Sequence, residues 1–174
     1  MADEETKPAA YSPNAVHMMR TTQHAQMQLS GIADAKANIL MGATFVIFTI
    51  TVGQSRGGVI PLPLLILGGA AFLSAILAVL AVIPKVRAPG RGGRGSNLLF
   101  FGQFTAMEEE EFIEEVLTRL RDDETLYRTM ARDIYQNGRV LQRKKYRLLG
   151  MAYQVFIAGL VASCAAFVIE RFLS

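Results

Sequence analysis

The sequence is poor in the residues from which most metal and redox sites are built. It has one cysteine, Cys164, and two histidines, His17 and His24, in 174 residues. A lone cysteine excludes an intrachain disulfide, and its place inside an apolar run fits a small membrane-core residue better than a redox centre. The histidines stand seven apart, about two helical turns, too far to share one metal ion, and no third ligand accompanies them. A hydrolase triad, a zinc-ligand spacing and a pair of catalytic carboxylates are all missing, so neither an enzyme nor a cofactor is expected. Arg91-Gly92-Gly93-Arg94-Gly95 is rich in glycine and arginine but lacks the Lys-Ser/Thr ending of a nucleotide-hydrolase loop. Attraction to anionic lipid explains it more readily. The basic and apolar regions of a secretory signal are also lacking: Met1 to Pro13 is polar and opens with Asp3, Glu4 and Glu5. The first apolar run is therefore expected to stay in the mature protein.

What the chain has is apolar surface, unevenly spread. Apolar residues make up 51%, and the net charge of +3 hides a segregation of charge from three apolar runs, 37–54, 59–83 and 148–169. About 20 residues of helix cross a hydrocarbon core of about 30 Å. The fold class expected is therefore an all-α membrane protein with three spans. A flexible N-terminus over 1–13 precedes one domain over 14–174, and a helical region over 97–147 separates the second and third spans. The second run meets the length requirement outright, and its Pro61 and Pro63 suit a first helical turn. The first is weaker, with a clean apolar part only from Ile39 to Val52, so Asp34, Lys36 and Asn38 fall near its boundary. Lys36 can snorkel to the headgroups.

Loop charges set an orientation. Only Arg56 lies between the first two spans, whereas Lys85, Arg87, Arg91, Arg94, Arg139, Arg143, Lys144, Lys145 and Arg147 lie between the second and third. The positive-inside rule then places the N-terminus and the 97–147 region in the cytoplasm and the C-terminus outside.

Within the cytoplasmic part, Ser12-Pro13 reads as a helix start, and no breaker follows until Gly31. The first span is therefore expected to extend a cytoplasmic helix. Asn97 to Gly102 form an apolar knot, Thr105 and Glu108 read as a capping box, and Phe112, Ile113, Val116, Leu117 and Leu120 recur at helical spacing. Asp122-Asp123 breaks that helix and caps the next, which is expected to run into the third span with Gly138 and Gly150 as its weak points. The resulting helical hairpin is expected to pack on the N-terminal helix.

Two rows of residues spaced by four carry the functional reading. Gln26, Ser30, Asp34 and Asn38 form a polar row entering the membrane. A carboxylate at that depth is a functional candidate by default; the alternative is a headgroup-level Asp34 bonded to a basic residue of another helix. Gly150, Gln154, Ala158, Ala162 and Ala166 form a small-residue row in the third span, matched by Ala70, Ser74 and Ala78 in the second. Such rows let helices approach closely, within one chain and between copies, so a homo-oligomer is expected. Arg119, Arg121, Arg128, Arg132 and Arg139 make an anionic ligand plausible, since guanidinium groups grip phosphate by paired bonds. Any one of them is equally at home on a solvated helix face.

Three motifs resemble a known family. They are Ala33-Asp34-Ala35-Lys36-Ala37-Asn38-Ile39-Leu40, the Asn97-Leu98-Leu99-Phe100-Phe101-Gly102 knot, and Asp133-Ile134 through Asn137 to Lys145-Tyr146. In order and placement they resemble the transmembrane effector of bacterial Pycsar antiphage systems, from about Val16 onward. The resemblance implies an inner-membrane effector that impairs the membrane when a partner cyclase makes a cyclic pyrimidine mononucleotide, cyclic UMP or cyclic CMP. It implies no catalytic residue and no nucleic-acid partner. Asp34, Lys36, Asn38, Asn97, Phe101, Asp133 and Asn137 are the motif positions, and with Arg128 and Arg132 they are the candidates for ligand binding or gating. The alternative is a non-enzymatic membrane scaffold or regulatory subunit that docks a cytoplasmic partner on the exposed part of the Phe112–Leu120 stripe.

Overall fold

The computed structural model describes residues 11–55, 58–83 and 97–173. The glycine- and arginine-rich segment 91–95 and most of the N-terminal segment fall outside the described residues. Among those described, every regular element is helical, and three helices are long and apolar enough to cross a membrane. The chain is a multi-pass membrane protein.

Two long rods organise the molecule. Helix α1, Ala15–Ser55, has 41 residues, about 60 Å at 1.5 Å per residue. That is twice the thickness of a hydrocarbon core, so its N-terminal half projects beyond the membrane, as expected. It starts later than Ser12-Pro13 suggested: Ser12 Oγ accepts the Asn14 N–H at 3.3 Å, and the Ser-Pro pair forms a turn ahead of the helix. The second rod is α5, Asp123–Val140, followed without a break by a π-helical segment, Leu141–Tyr146, and by α6, Arg147–Leu173. The expected weak points Gly138 and Gly150 do not interrupt it. The irregularity lies between them.

Helix α2, Leu62–Val82, begins with Pro61 at its N-cap position and Pro63 in its first turn, where a missing N–H costs nothing. It is the central helix of the membrane part, packing against both α1 and α6. The row Ala70, Ser74, Ala78 does face a neighbour. Ser74 Oγ donates to the Ala152 carbonyl at 2.8 Å, and a Cβ added to Gly159 would fall on the Ala70 methyl. Ser163 Oγ donates to the Pro63 carbonyl at 2.7 Å. The α6 face that meets α2 is therefore Leu149, Ala152, Phe156, Gly159 and Ser163. The row expected to pack there is turned away: Gly150, Gln154, Ala158 and Ala162 are exposed. Ala33, Ala37, Leu40, Ala78, Ala81, Leu149 and Ala152 form the buried cluster where the three spans meet. Without a hydrophobic drive between helices in lipid, such close packing of small residues holds the bundle.

Beyond this junction lies a helical head. The knot leads into a single turn, α3, Phe101–Phe104, and then α4, Glu109–Arg119. The Thr105–Glu108 capping box does not form, because α4 begins after Glu108, whose side chain makes no capping bond. Asp122 does cap α5, accepting the Thr125 N–H at 2.9 Å. That bond holds its carboxyl below the ordinary 3.8. Of the expected hairpin only α5 packs on α1. Helix α4 has no buried residue; it touches α5 and, through Phe112, whose ring centroid lies 5.2 Å from that of Phe104, the α3 turn.

A candidate ligand cavity where the head meets the membrane

The polar row on α1 does not line up with lipid in its N-terminal part; it faces α5 and the π segment. Between them lies a cavity of about 500 Å³, within the range of roughly 300–1,000 Å³ for small-molecule sites. Helix α1 contributes Gln23, Gln26 and Ser30, the knot contributes Leu99 and Phe100, and Asp133, Asn137 and Lys145 come from the second rod. The close approach of the rods has a local cause. Gln26 Nε2 crosses Gly138 to donate to the Ile134 carbonyl at 2.9 Å, and a Cβ at Gly138 would stand 3.1 Å from that nitrogen. Gly138, read from the sequence as a helix weakness, is the clearance for this crossing.

Asp133 is the buried charge of the head, 6% exposed. Among the described residues no cation pairs with it. Its Oδ1 accepts from Asn97 Nδ2 at 2.7 Å and Asn137 Nδ2 at 2.9 Å, and its Oδ2 accepts from Gln23 Nε2 at 3.1 Å. A buried carboxylate needs such donors, and here they also assemble the site: one carboxylate ties α1, the knot and α5 together. Asn97 completes the tie, because its Oδ1 accepts the Leu99 N–H at 3.1 Å and so fixes the turn that presents Leu99 and Phe100.

At the membrane end of the cavity stands Lys145. Its Nζ donates to both carboxylate oxygens of Asp34, at 2.9 and 2.8 Å, and to Ser30 Oγ at 2.7 Å. Of the two readings of Asp34, the structure has the bond to a basic residue of another helix. The neighbours of Lys145 are anchored too: Lys144 Nζ donates to the Ile83 carbonyl at the end of α2, and Tyr146 Oη donates to the Leu29 carbonyl at 3.1 Å.

The structure brings four of the nine candidate residues to this cavity or its frame: Asp133 and Asn137 in the wall, Asn97 behind Asp133, and Asp34 behind Lys145. Lys36 is exposed about half a turn past Asp34, where its carbonyl accepts from Tyr153 Oη at 3.1 Å, and Asn38 is exposed beyond it. Arg128 is exposed and engaged by its own helix, with Nε 2.7 Å from Glu124 Oε1, a bond that raises the guanidinium pKa. Arg132 is exposed and lines no part of the cavity. Phe101 belongs to α3, but its side chain lies outside the described residues. The residues that sequence reasoning missed are Lys145, Gln23 and Phe100. Lys145 was hidden in a basic run that reads as a topology signal. The available clue was that Asp34 needs a cation at its own depth.

The walls offer recognition: an ammonium for an anionic group, amides for a polar ring edge, and Leu99, Phe100 and Val140 for an apolar face. No curated protein and no solved structure matches the chain. A family model does: the Pycsar effector protein domain covers residues 17–170, which takes in most of both rods, the knot and the whole cavity, and the chain belongs to that family of antiphage effectors.

Proposed function

We propose that this chain is a non-enzymatic inner-membrane effector whose cavity binds a cyclic pyrimidine mononucleotide, cyclic UMP or cyclic CMP, and that binding makes the membrane permeable. The observation that carries the reading is the cavity itself, with the Asp34-paired ammonium of Lys145 at one end and a cluster of amides around Asp133 at the other. A cyclic phosphate takes the ammonium, a pyrimidine edge takes Gln23 and Asn137, and its ring lies against Phe100. The basic residues on both sides of the head support a cytoplasmic position for that end, where a cyclase product is available. The assembly is homo-oligomeric: Gln154, in the middle of an apolar span, is exposed, and an amide in lipid gains from a hydrogen-bonding partner on a second copy.

The full chain reconstituted in dye-loaded vesicles tests this. Cyclic UMP or cyclic CMP is expected to bind by calorimetry and to release dye, with cyclic AMP inert. Absence of both binding and release refutes the reading. A second reading, docking of a cytoplasmic protein, is favoured by one observation: Ile113 and Leu117 of α4, and Leu120 at its C-terminal end, are 37%, 48% and 55% exposed. A stoichiometric partner retained by the full chain and lost on Leu117→Asp, without nucleotide-triggered release, would select it.

A further inference from the structure

The π segment is wound against its own preferences. Leu141-Gln142-Arg143-Lys144-Lys145-Tyr146 contains no proline or glycine, and its leucine, glutamine, arginine and lysines are strong α-helix formers. Yet the Arg147 N–H donates to the Gln142 carbonyl, five residues back. Such wide turns are rare, and they cluster at functional sites. Nothing local produces this one, so its neighbours do. Three consecutive side chains, Lys144, Lys145 and Tyr146, are bonded to Ile83, to Asp34 and Ser30, and to Leu29. On an α-helix consecutive side chains diverge by about 100°. A wider winding reduces that divergence and lets three neighbours reach the two adjoining helices together.

Two of the residues in this segment, Leu141 and Lys145, are also cavity wall. The same ammonium therefore serves both the tether to α1 and any anion in the cavity. The Lys145–Asp34 pair is partly hydrated, with side chains 22% and 43% exposed, and partly hydrated ion pairs are weak enough to exchange for another anion.

We propose that Leu141–Tyr146 is the transmission element of the effector: an anionic ligand draws Lys145 from Asp34, the segment rewinds as α-helix, and α6 turns against α5 by about 100°, one residue's advance. This rests on the cavity being the nucleotide site. It supplies what a binding event at the head otherwise lacks, a discrete two-state element joined directly to a membrane span. The turn changes which face of α6 meets α2 and which carries Gln154.

Two variants of the full chain in vesicles test it, with cyclic UMP and cyclic CMP as probes and inorganic phosphate as control. Deleting Gln142, which lines no part of the cavity, removes the extra residue and leaves α5 and α6 in their resting register. Binding by calorimetry is expected to stay within about threefold of the parent, while triggered dye release falls at least about tenfold. D34N removes the charge that holds Lys145 and is expected to raise unliganded release at least about threefold. Parent-like triggered release from the deletion overturns the proposal, as does unliganded release from D34N equal to the parent's. If the deletion fails to fold, D34N alone decides. If neither nucleotide binds the parent protein, the nucleotide reading falls, and the unliganded release of D34N still judges the π segment.

Discussion

Lys145 Nζ lies 2.9 and 2.8 Å from the two carboxylate oxygens of Asp34, joining the two long rods at the depth where their membrane spans begin. Neither residue is isolated: Ser30 shares the ammonium at 2.7 Å, and the rest of the Lys145 surroundings open into the cavity. The pair thus links a site in the head to the geometry of two spans through a single side chain.

Lys145→Gln keeps a hydrogen-bond donor, on a shorter stem, and removes the charge. A hydrogen bond to a charged group contributes about 1.5–3 kcal/mol, so the Kd of cyclic UMP or cyclic CMP is expected to rise about tenfold or more. Calorimetry on detergent-solubilised protein measures this. An unchanged Kd means the phosphate does not meet Lys145.

Asp133→Ala strands three donors, from Asn97, Asn137 and Gln23. Leaving a buried donor unsatisfied costs about 1–3 kcal/mol. The knot and α5 are expected to loosen from α1 together, with faster amide exchange over 97–100 and 130–140 and nucleotide binding lost. Exchange followed by mass spectrometry should leave the α2–α6 contact protected, since its bonds run between Ser74, Ala152, Ser163 and Pro63.

The spans and the rods were legible because length and hydropathy govern crossing, and local breakers govern continuity. Ala70, Ser74 and Ala78 were correctly read as a packing face, and Asp122 as a cap. On α6, the row Gly150, Gln154, Ala158 and Ala162 does not make the intrachain half of the contact expected of it. Two small-residue rows run along that helix, one through Ala152, Gly159 and Ser163 and one through Gly150, Gln154 and Ala158, and spacing alone does not say which meets α2. The serine hydroxyls decide it, by finding carbonyls across the contact. The cavity was only half legible. Asp133 and Asn137 share a helix face and could be paired from spacing, but Lys145 reaches Asp34 across 111 positions of sequence. The π segment had no signal at all, because its residues favour ordinary α winding and long-range bonds impose the other.

Gly159→Val places branched carbons where α2 already lies against α6, on the Ala70 methyl. Overpacking of this kind costs about 1–3 kcal/mol, and the thermal midpoint in detergent is expected to fall by several degrees. Gly150→Ala, which meets nothing within 4 Å and replaces a helix-interior glycine, is expected to leave the midpoint unchanged or slightly raised. Equal effects of the two would mean that α6 does not use the Gly159 face against α2.

Gln154 supplies the last prediction. On an α-helix advancing about 100° per residue, it lies nearly opposite Ala152, Phe156 and Ser163, the side that meets α2. Its neighbours on that outer face are Gly150, Ala158 and Ala162, all small and all exposed. A second copy can therefore bring its own Gln154 within amide hydrogen-bonding distance, two donors and two acceptors satisfying each other in lipid, at about 0.6–2 kcal/mol per contact. In a Cys164→Ser background, Ala158→Cys is expected to form oxidised dimers in membranes. Leu160→Cys, exposed but about 120° away from Gln154 around the helix, is expected to form few. Adding Gln154→Leu should reduce the Ala158→Cys dimer severalfold, because the apolar isostere keeps the shape and removes the bond. Equal cross-linking from positions 158 and 160 would mean that copies meet by chance in the bilayer and not through this face.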